Sequence, residues 1–374
     1  MHLKYTLLPE LALRVFYFNL RDMARNLQLS LVFIALFAMF GAKAQIGGTG
    51  IYQFVDLAPS SRISSLGGNL ISVKDDDPTL AIQNPSLLNA SMDNHLALSY
   101  LDYLAGVNFG SVIYAHSFDS INTGSIGMQY INYGTFTRAD ENGNITGSFT
   151  AGEYNLFAGF SRQWKKFSYG GQLKLIYSTL VDNYSSLGAM VDISGTYADP
   201  DKGFTAALLF KNMGYEITKY ADVREPTPFE IQLGFSEKLK HMPIRFSVIL
   251  THLESPDMTY INTNAPQTID LATGKPIVQT ISLGDKIFRH FVFGAEILIS
   301  KNFNIRVGYD VQRRQELMIP DDKGVVGYSI GAGIRINKFH ISYGLAVYSL
   351  AGSSNTFTIT SNLSEFTHRA RPKE

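Results

Sequence analysis

The chain contains no cysteine. That excludes disulfide staples, thiol catalysis and Cys-ligated zinc, and also the acylated cysteine that anchors bacterial lipoproteins. It has no excess of charge: Lys plus Arg and Asp plus Glu are both 32, and with no basic stripe nucleic acid is not an expected partner. Beyond the first 44 residues no apolar run reaches about eighteen residues, so transmembrane helices are excluded. Catalytic signatures are equally scarce. There is no Ser-x-x-Lys, and His116, His290 and His340 lack any His-x-x-x-His spacing, so neither a penicillin-binding-type site nor a metal centre is expected. Gly327-Tyr328-Ser329-Ile330-Gly331 matches a nucleophile elbow in letters only, because it lies inside a strand pattern rather than at a strand-to-helix turn. No catalytic residue and no cofactor is expected.

One long apolar run is present, at residues 27–40, with Arg25 before it and Ala42-Lys43-Ala44 after it. It is short for a membrane span and reads as a signal peptide, with Gln45 as the first mature residue. Glu10 and Asp22 fit poorly in a basic leader, so Met23 reads as the true start and the preceding residues as an upstream extension. Without residues 1–44, which hold five basic and two acidic side chains, 27 basic and 30 acidic residues remain, a mildly acidic exported chain.

From His95 to Leu363 the sequence reads as about fourteen long strands of alternating polarity. Phe303, Ile305, Val307, Tyr309 and Val311 fall on one face, and Asn304, Arg306, Gly308, Asp310 and Gln312 on the other. Residues 290–300, 328–337, 229–236 and 186–193 repeat the alternation, whereas 107–119 and 205–211 carry small or apolar residues on both faces, as strands facing a packed lumen would. The runs are longer than the five or six residues usual in soluble sheets, and a tilted spanning strand needs about nine to eleven. Breaks after Phe118, Trp164, Ala198, Leu239, Ser300 and Asn337 are short, whereas 134–151, 213–227 and 254–286 read as long polar loops. Short turns at one end and long loops at the other mark an outer-membrane barrel. Tyr100, Tyr103, Tyr133, Tyr184, Tyr348 and Trp164 suit its interfacial girdles, although aromatic residues also favour strands generally.

Residues 45–94 do not alternate. Gly67-Gly68 permits a tight bend, Pro85 forces Asn84 out of the helical region, and Asp75-Asp76-Asp77 reads as a solvated turn rather than a cation site. This segment, with Ser60-Ser61-Arg62 leading to Leu66-Gly67-Gly68, then the acidic turn, then Asn84-Pro85-Ser86-Leu87, resembles the start of outer-membrane barrels related to the long-chain fatty-acid transporter. Within that family Ile51-Tyr52-Gln53-Phe54 and Asp285-Lys286-Ile287-Phe288-Arg289-His290 look like the PorV/PorQ group of the type IX secretion system of Bacteroidetes.

The resemblance implies an all-β, transmembrane antiparallel barrel integral to the outer membrane, with residues 45–94 as an internal hatch bearing the motif Gly67, Gly68, Asn84 and Pro85. It places the barrel at 95–366, followed by a tail at 367–374. It further implies a non-catalytic scaffold for a surface attachment complex, with outer-membrane lipid and proteins resembling PorZ, PorU and PorV as partners. Residues 140–150, and above all 254–285 with Glu254, Pro256, Pro266, Pro276 and Asp285, are the expected partner loops. The alternative is transport of small hydrophobic compounds. Glu296, Arg306, Asp310 and Arg335 are the candidate lumen lining, read either as a selectivity lining or as a polar network around the hatch. Phe366 is not the last residue, as the closing aromatic of many such barrels is, so the final strand ends earlier or a tail follows it.

Overall fold

The computed structural model describes residues 50–181, 184–220, 224–259, 281–318, 324–349 and 352–367. The leader, Pro266 and Pro276 lie outside the described residues. Fourteen strands follow one another as a meander: β1 (His95–Asp102), β2 (Asn108–Ser117), β3 (Asn122–Ala139), β4 (Ile145–Trp164), β5 (Phe167–Val181), β6 (Tyr184–Asp199), β7 (Phe204–Thr218), β8 (Glu230–Lys238), β9 (Ile244–Leu250), β10 (Phe291–Ile297), β11 (Phe303–Asp310), β12 (Tyr328–Ile336), β13 (Phe339–Ser349) and β14 (Gly352–Asn362). Each pairs antiparallel with its neighbours, and β1 pairs with β14 from His95↔Asn362 to Asp102↔Asn355, closing the barrel. Closure leaves no open edge around the ring, the condition for crossing hydrocarbon with strands.

The alternation decides which side chains meet lipid. Ile193 is 54% exposed while its neighbours Asp192 and Ser194 face inward and are buried, and Ile330 is exposed between the buried Ser329 and the inward Gly331. A soluble protein does not leave so many Leu, Ile and Phe side chains uncovered around its sheet. The outer face is therefore the lipid face.

All six short turns fall at one end, which by the usual asymmetry is periplasmic. Two of the expected long loops are shorter than they read. β3 and β4 continue to Ala139 and from Ile145, and β7 continues to Thr218, because Thr, Phe, Tyr and Ile keep the strand going past the membrane. At the other extreme β11 stops at Asp310. Its carboxylate accepts a hydrogen bond from the Arg313 amide at 3.0 Å and caps helix α4 (Val311–Leu317), so Val311 and Gln312 are helical and not part of the alternation.

Residues 50–94 fill the lumen. Its first described residues lie beside Pro226 at the loop end, where the Ile51 amide donates to the Pro226 carbonyl, and it reaches the turn end at residues 74–77 before it enters β1. It holds α1 (Ser61–Ser65) and α2 (Leu80–Gln83). The hydrophobic core lies within this plug and between it and the inner wall: Ile63, Leu66, Leu70, Leu80 and Leu87 cluster inside the plug, and Ile71 packs on Ala207, Leu209, Ile249 and Val292 of the wall. Ile82 and Leu88 likewise cluster with Ile113 and Ala115 of β2, so the apolar inner faces of β2 and β7 meet the plug.

Candidate functional site

Arg62 is the centre of the plug. Its helix starts at Ser60, whose hydroxyl accepts from the Ile63 amide, and ends in a turn in which the Gly68 amide donates to the Ile63 carbonyl at 2.9 Å. Gly67 and Gly68 have φ of +93° and +95°, and a Cβ on Gly67 would lie 2.4 Å from the Val292 side chain, so the bend and the close approach both require glycine. The Gly67 amide donates to Ser329 Oγ at 3.0 Å. The serine of the apparent nucleophile elbow is thus a docking acceptor for the hatch.

From that helix the Arg62 guanidinium makes five hydrogen bonds. Nε and Nη2 donate to Glu296 at 2.9 and 3.0 Å, Nη1 and Nη2 to Asp75 at 3.0 and 2.7 Å, and Nη1 to Asp77 at 3.2 Å. Two bidentate forks of this kind use the planar geometry that distinguishes Arg from Lys. Arg245 adds bonds to Glu296 at 2.8 Å and Asp75 at 3.1 Å, and Arg306 Nε donates to Glu296 at 3.2 Å. Three cations and three carboxylates therefore balance within the lumen. The acidic turn is thus also a latch joining hatch to wall: Asp75 and Asp77 enter the cluster, while Asp76 stays half-exposed and the Asp77 carboxylate accepts from the Thr79 amide.

Of the four lumen residues singled out from sequence, Glu296 and Arg306 meet in this cluster. Asp310 sits at the loop end, capping α4 and pairing with Arg313 at 3.4 Å. Arg335, one residue short of the end of β12, sits half-exposed at the opposite mouth, 2.8 Å from Asp76. Alternation assigned all four to the inner face but carries no information on depth.

A second network lay unnoticed in the sequence. Lys174 Nζ lies 2.6 Å from Asp192, Lys211 Nζ 2.7 Å from Asp56 of the hatch and 3.7 Å from Glu230, and Asn212 bridges them, donating to Asp56 at 2.9 Å while accepting from Lys174 at 2.8 Å. Asn212 has φ +58° and sits where the β6–β7 register slips, a bulge that turns its side chain inward. The remaining hatch motif is also a docking device. Asn84 Oδ1 accepts from the Ser86 amide and hydroxyl at 3.0 and 2.7 Å, its Nδ2 donates to the Ile71 carbonyl at 2.7 Å, and Pro85 packs so closely on Gly170 that a Cβ there would lie 2.5 Å from its carbonyl carbon.

At the loop end Tyr100 and Tyr184 face outward as girdle residues, as does Trp164 at the turn end. Tyr133 turns inward to donate to Glu153 at 2.7 Å, and Tyr103 stacks edge-on against Tyr348, which also carries the Arg313 guanidinium 4.2 Å above its ring. Those three serve the plugged mouth rather than the lipid boundary.

The described ends of the 254–285 loop are tied down. Glu254 accepts from the Ile231 amide at 2.8 Å and from His252 Nδ1 at 3.2 Å. Asp257 pairs with Lys286 at 2.6 Å, just past Asp285, whose amide donates to Ser282 Oγ at the start of a short helix, α3 (Leu283–Phe288). Pro256 lies among these anchored residues. His252 is held near a pKa of about 9: burial opposes its charge, but Glu230 and the hydrogen-bonded Glu254 outweigh it. Among the described residues no group of three or more His, Asp or Glu side chains is placed to hold a metal. His116 pairs with Asp93 at 3.0 Å, His290 bonds the Thr251 carbonyl at 2.7 Å, and His340 lines a polar cleft at the turn end.

β14 ends at Asn362, and Phe366 follows in a turn of helix, 5.8 Å from Phe339 and beneath Lys338. Phe366 therefore packs on the wall at the start of β13, beyond the end of the last strand.

No family model matches the chain, and no curated protein does. Among solved structures the toluene transporter TodX of Pseudomonas putida aligns over 82% of this chain and 99% of its own, with a TM-score of 0.50 at 12% identity. The two share a fold. A FadL homologue of Pseudomonas aeruginosa aligns over 81% of this chain and 98% of its own, with a TM-score of 0.45 at 10% identity, and the monoaromatic hydrocarbon channel CymD over 82% and 97%, with a TM-score of 0.42 at 12% identity. The chain is thus a closed fourteen-stranded β-barrel of the kind found in the outer membrane, with a hatch inside it.

Proposed function

We propose that this barrel is a non-catalytic platform in the outer membrane, resembling PorQ, that holds a surface attachment complex of a type IX secretion system through its outer rim. The observation that supports it is the filled lumen: the hatch is fixed to the wall by a charge-balanced latch at Arg62 and a second at Lys211, so the folded state is a plugged anchor. Two concavities stand out among the described residues. One, of about 60 Å³, is polar and lies at the turn-end mouth beside Asp77, His95 and Arg335; the other, of about 330 Å³, is apolar but lies on the outer wall beside Leu98, Phe339 and Phe366.

Passage of small hydrophobic compounds is the second reading, and the shared fold with a toluene transporter speaks for it rather than for the platform. Two experiments separate them. Saturable uptake of fatty acid or toluene into liposomes holding the purified barrel would favour transport and sink the platform. Co-purification of a large surface protein from native outer membranes, lost on deleting residues 254–285 or shortening 140–150, would favour the platform.

A further inference from the structure

β3 and β4, at 18 and 20 residues, are longer than the strands beside them. The last pair joining β3 to β2 is Asn132↔Asn108, and the last joining β4 to β5 is Gly152↔Thr179. Beyond these, among the described residues, 133–139 and 145–151 pair only with each other, from Gly134↔Ala151 to Ala139↔Ile145. The result is a two-stranded ribbon standing above the loop-end rim, with no further strand paired to either edge among the described residues. It is stiffened from within. Phe136 stacks on Phe149 at 5.3 Å, the Arg138 guanidinium covers the Phe149 ring at 5.8 Å, and at the tip Asp140 accepts from the amides of Asn142 and Asn144 at 2.9 and 2.8 Å.

Proteins normally blunt a free strand edge with charge, proline or a bulge. The two edges differ in this. The β3 edge carries Arg138 and a register slip at Tyr133. The β4 edge has its own slip at Thr146, but from 147 to 151 it reads Gly147-Ser148-Phe149-Thr150-Ala151, with no charge and no proline. An isolated two-stranded ribbon is marginal in water, and a third strand would complete it.

We propose that the β4 edge at residues 147–151 accepts an extended, uncharged segment of a surface protein as an antiparallel third strand, a mode in which backbone hydrogen bonds give affinity and alternate side chains give selectivity. The inference rests on the platform reading and names its docking element. A second copy of this chain is the wrong occupant. β4 runs from the rim toward the membrane, and every copy in one membrane runs the same way, so the same edge of a neighbour would lie parallel, while the neighbour's β3 edge, which would lie antiparallel, is blunted by Arg138 and the slip at Tyr133. The incoming strand must run away from the membrane, as a segment of a protein seated above the barrel does.

Amide hydrogen exchange tests this with the full chain in native outer-membrane vesicles and, separately, purified into lipid nanodiscs. Alternate amides within 147–151 exchange about tenfold or more slowly in vesicles than in nanodiscs, while 134–138 does not change. Equal rates in both overturn the proposal. Ser148→Pro and Phe149→Pro form a paired control, because neighbouring amides in an antiparallel strand point to opposite sides. One substitution breaks the ribbon. The other leaves the 134–138 exchange as in the wild type yet abolishes both the vesicle protection and retention of the surface protein. Retention by that second variant overturns this inference and leaves the platform intact, whereas a wild-type barrel that holds no surface protein sinks both.

Discussion

Replacing Arg62 by Met removes the cation at the centre of the latch while keeping most of its stem. Arg62, Arg245 and Arg306 face Asp75, Asp77 and Glu296, so the substitution leaves two cations against three carboxylates in a site where Arg62 and Glu296 are almost fully buried. Breaking a buried pair by removing one partner costs about 3–5 kcal/mol, because the other charge stays in a poorly solvating environment. The strands keep their ladders in this variant, so the loss falls on docking of the hatch rather than on the barrel. At 1.4 kcal/mol per tenfold, the equilibrium for hatch release shifts by roughly two to three and a half orders of magnitude. Planar bilayers read this directly: the wild type is silent, and Arg62→Met shows long-lived open events. Arg62→Lys, which keeps the charge but loses the forks, falls between them. Adding Asp75→Asn to Arg62→Met restores balance and lowers the open probability. A variant as silent and as stable as the wild type would refute the latch, and a double variant more open than the single would refute its electrostatic origin.

Other outcomes follow from the same geometry. Gly344→Leu, where even a Cβ would lie 2.4 Å from the Ser61 carbonyl oxygen, displaces α1 and gives open events in bilayers without loss of barrel strand content by circular dichroism. Ile330→Arg puts a charge on the lipid face and destabilises the barrel by about 2–4 kcal/mol in urea titrations in lipid, whereas Ser329→Ala on the adjacent inner face changes hatch docking instead. His252 has a folded-state pKa raised from 6.5 to about 9. Its contribution is fully present below about pH 6.5 and is lost as pH rises through 9. NMR titration should place its midpoint there, and the protection of amides 253–257 relative to their intrinsic exchange rates should fall over that window in the wild type but stay level in His252→Gln.

The fold class was legible because its causes are local. Period-two alternation, strand length and turn asymmetry are properties of a few consecutive residues, and they placed Ile305, Val307 and Ile330 on lipid and Arg306, Gly308 and Ser329 inside. Gly67-Gly68 and Asn84-Pro85 were recognisable as bends for the same reason, since their backbone demands are their own. Loop length was read less well. Polar strand residues at 134–139 and 145–151 look like loop until the cross-strand partner is known.

What the sequence determined by itself was a ring of spanning strands with a lipid face, a polar inner face and a non-alternating segment before it. Only the tertiary structure decided what fills the ring: that Arg62 meets Glu296, 234 positions away, that the acidic turn is a latch, that Tyr133 and Tyr103 turn inward, and that one hairpin rises unpaired above the rim. Depth along a strand and contact across a lumen depend on closure of the whole barrel, and a two-residue period carries no measure of either.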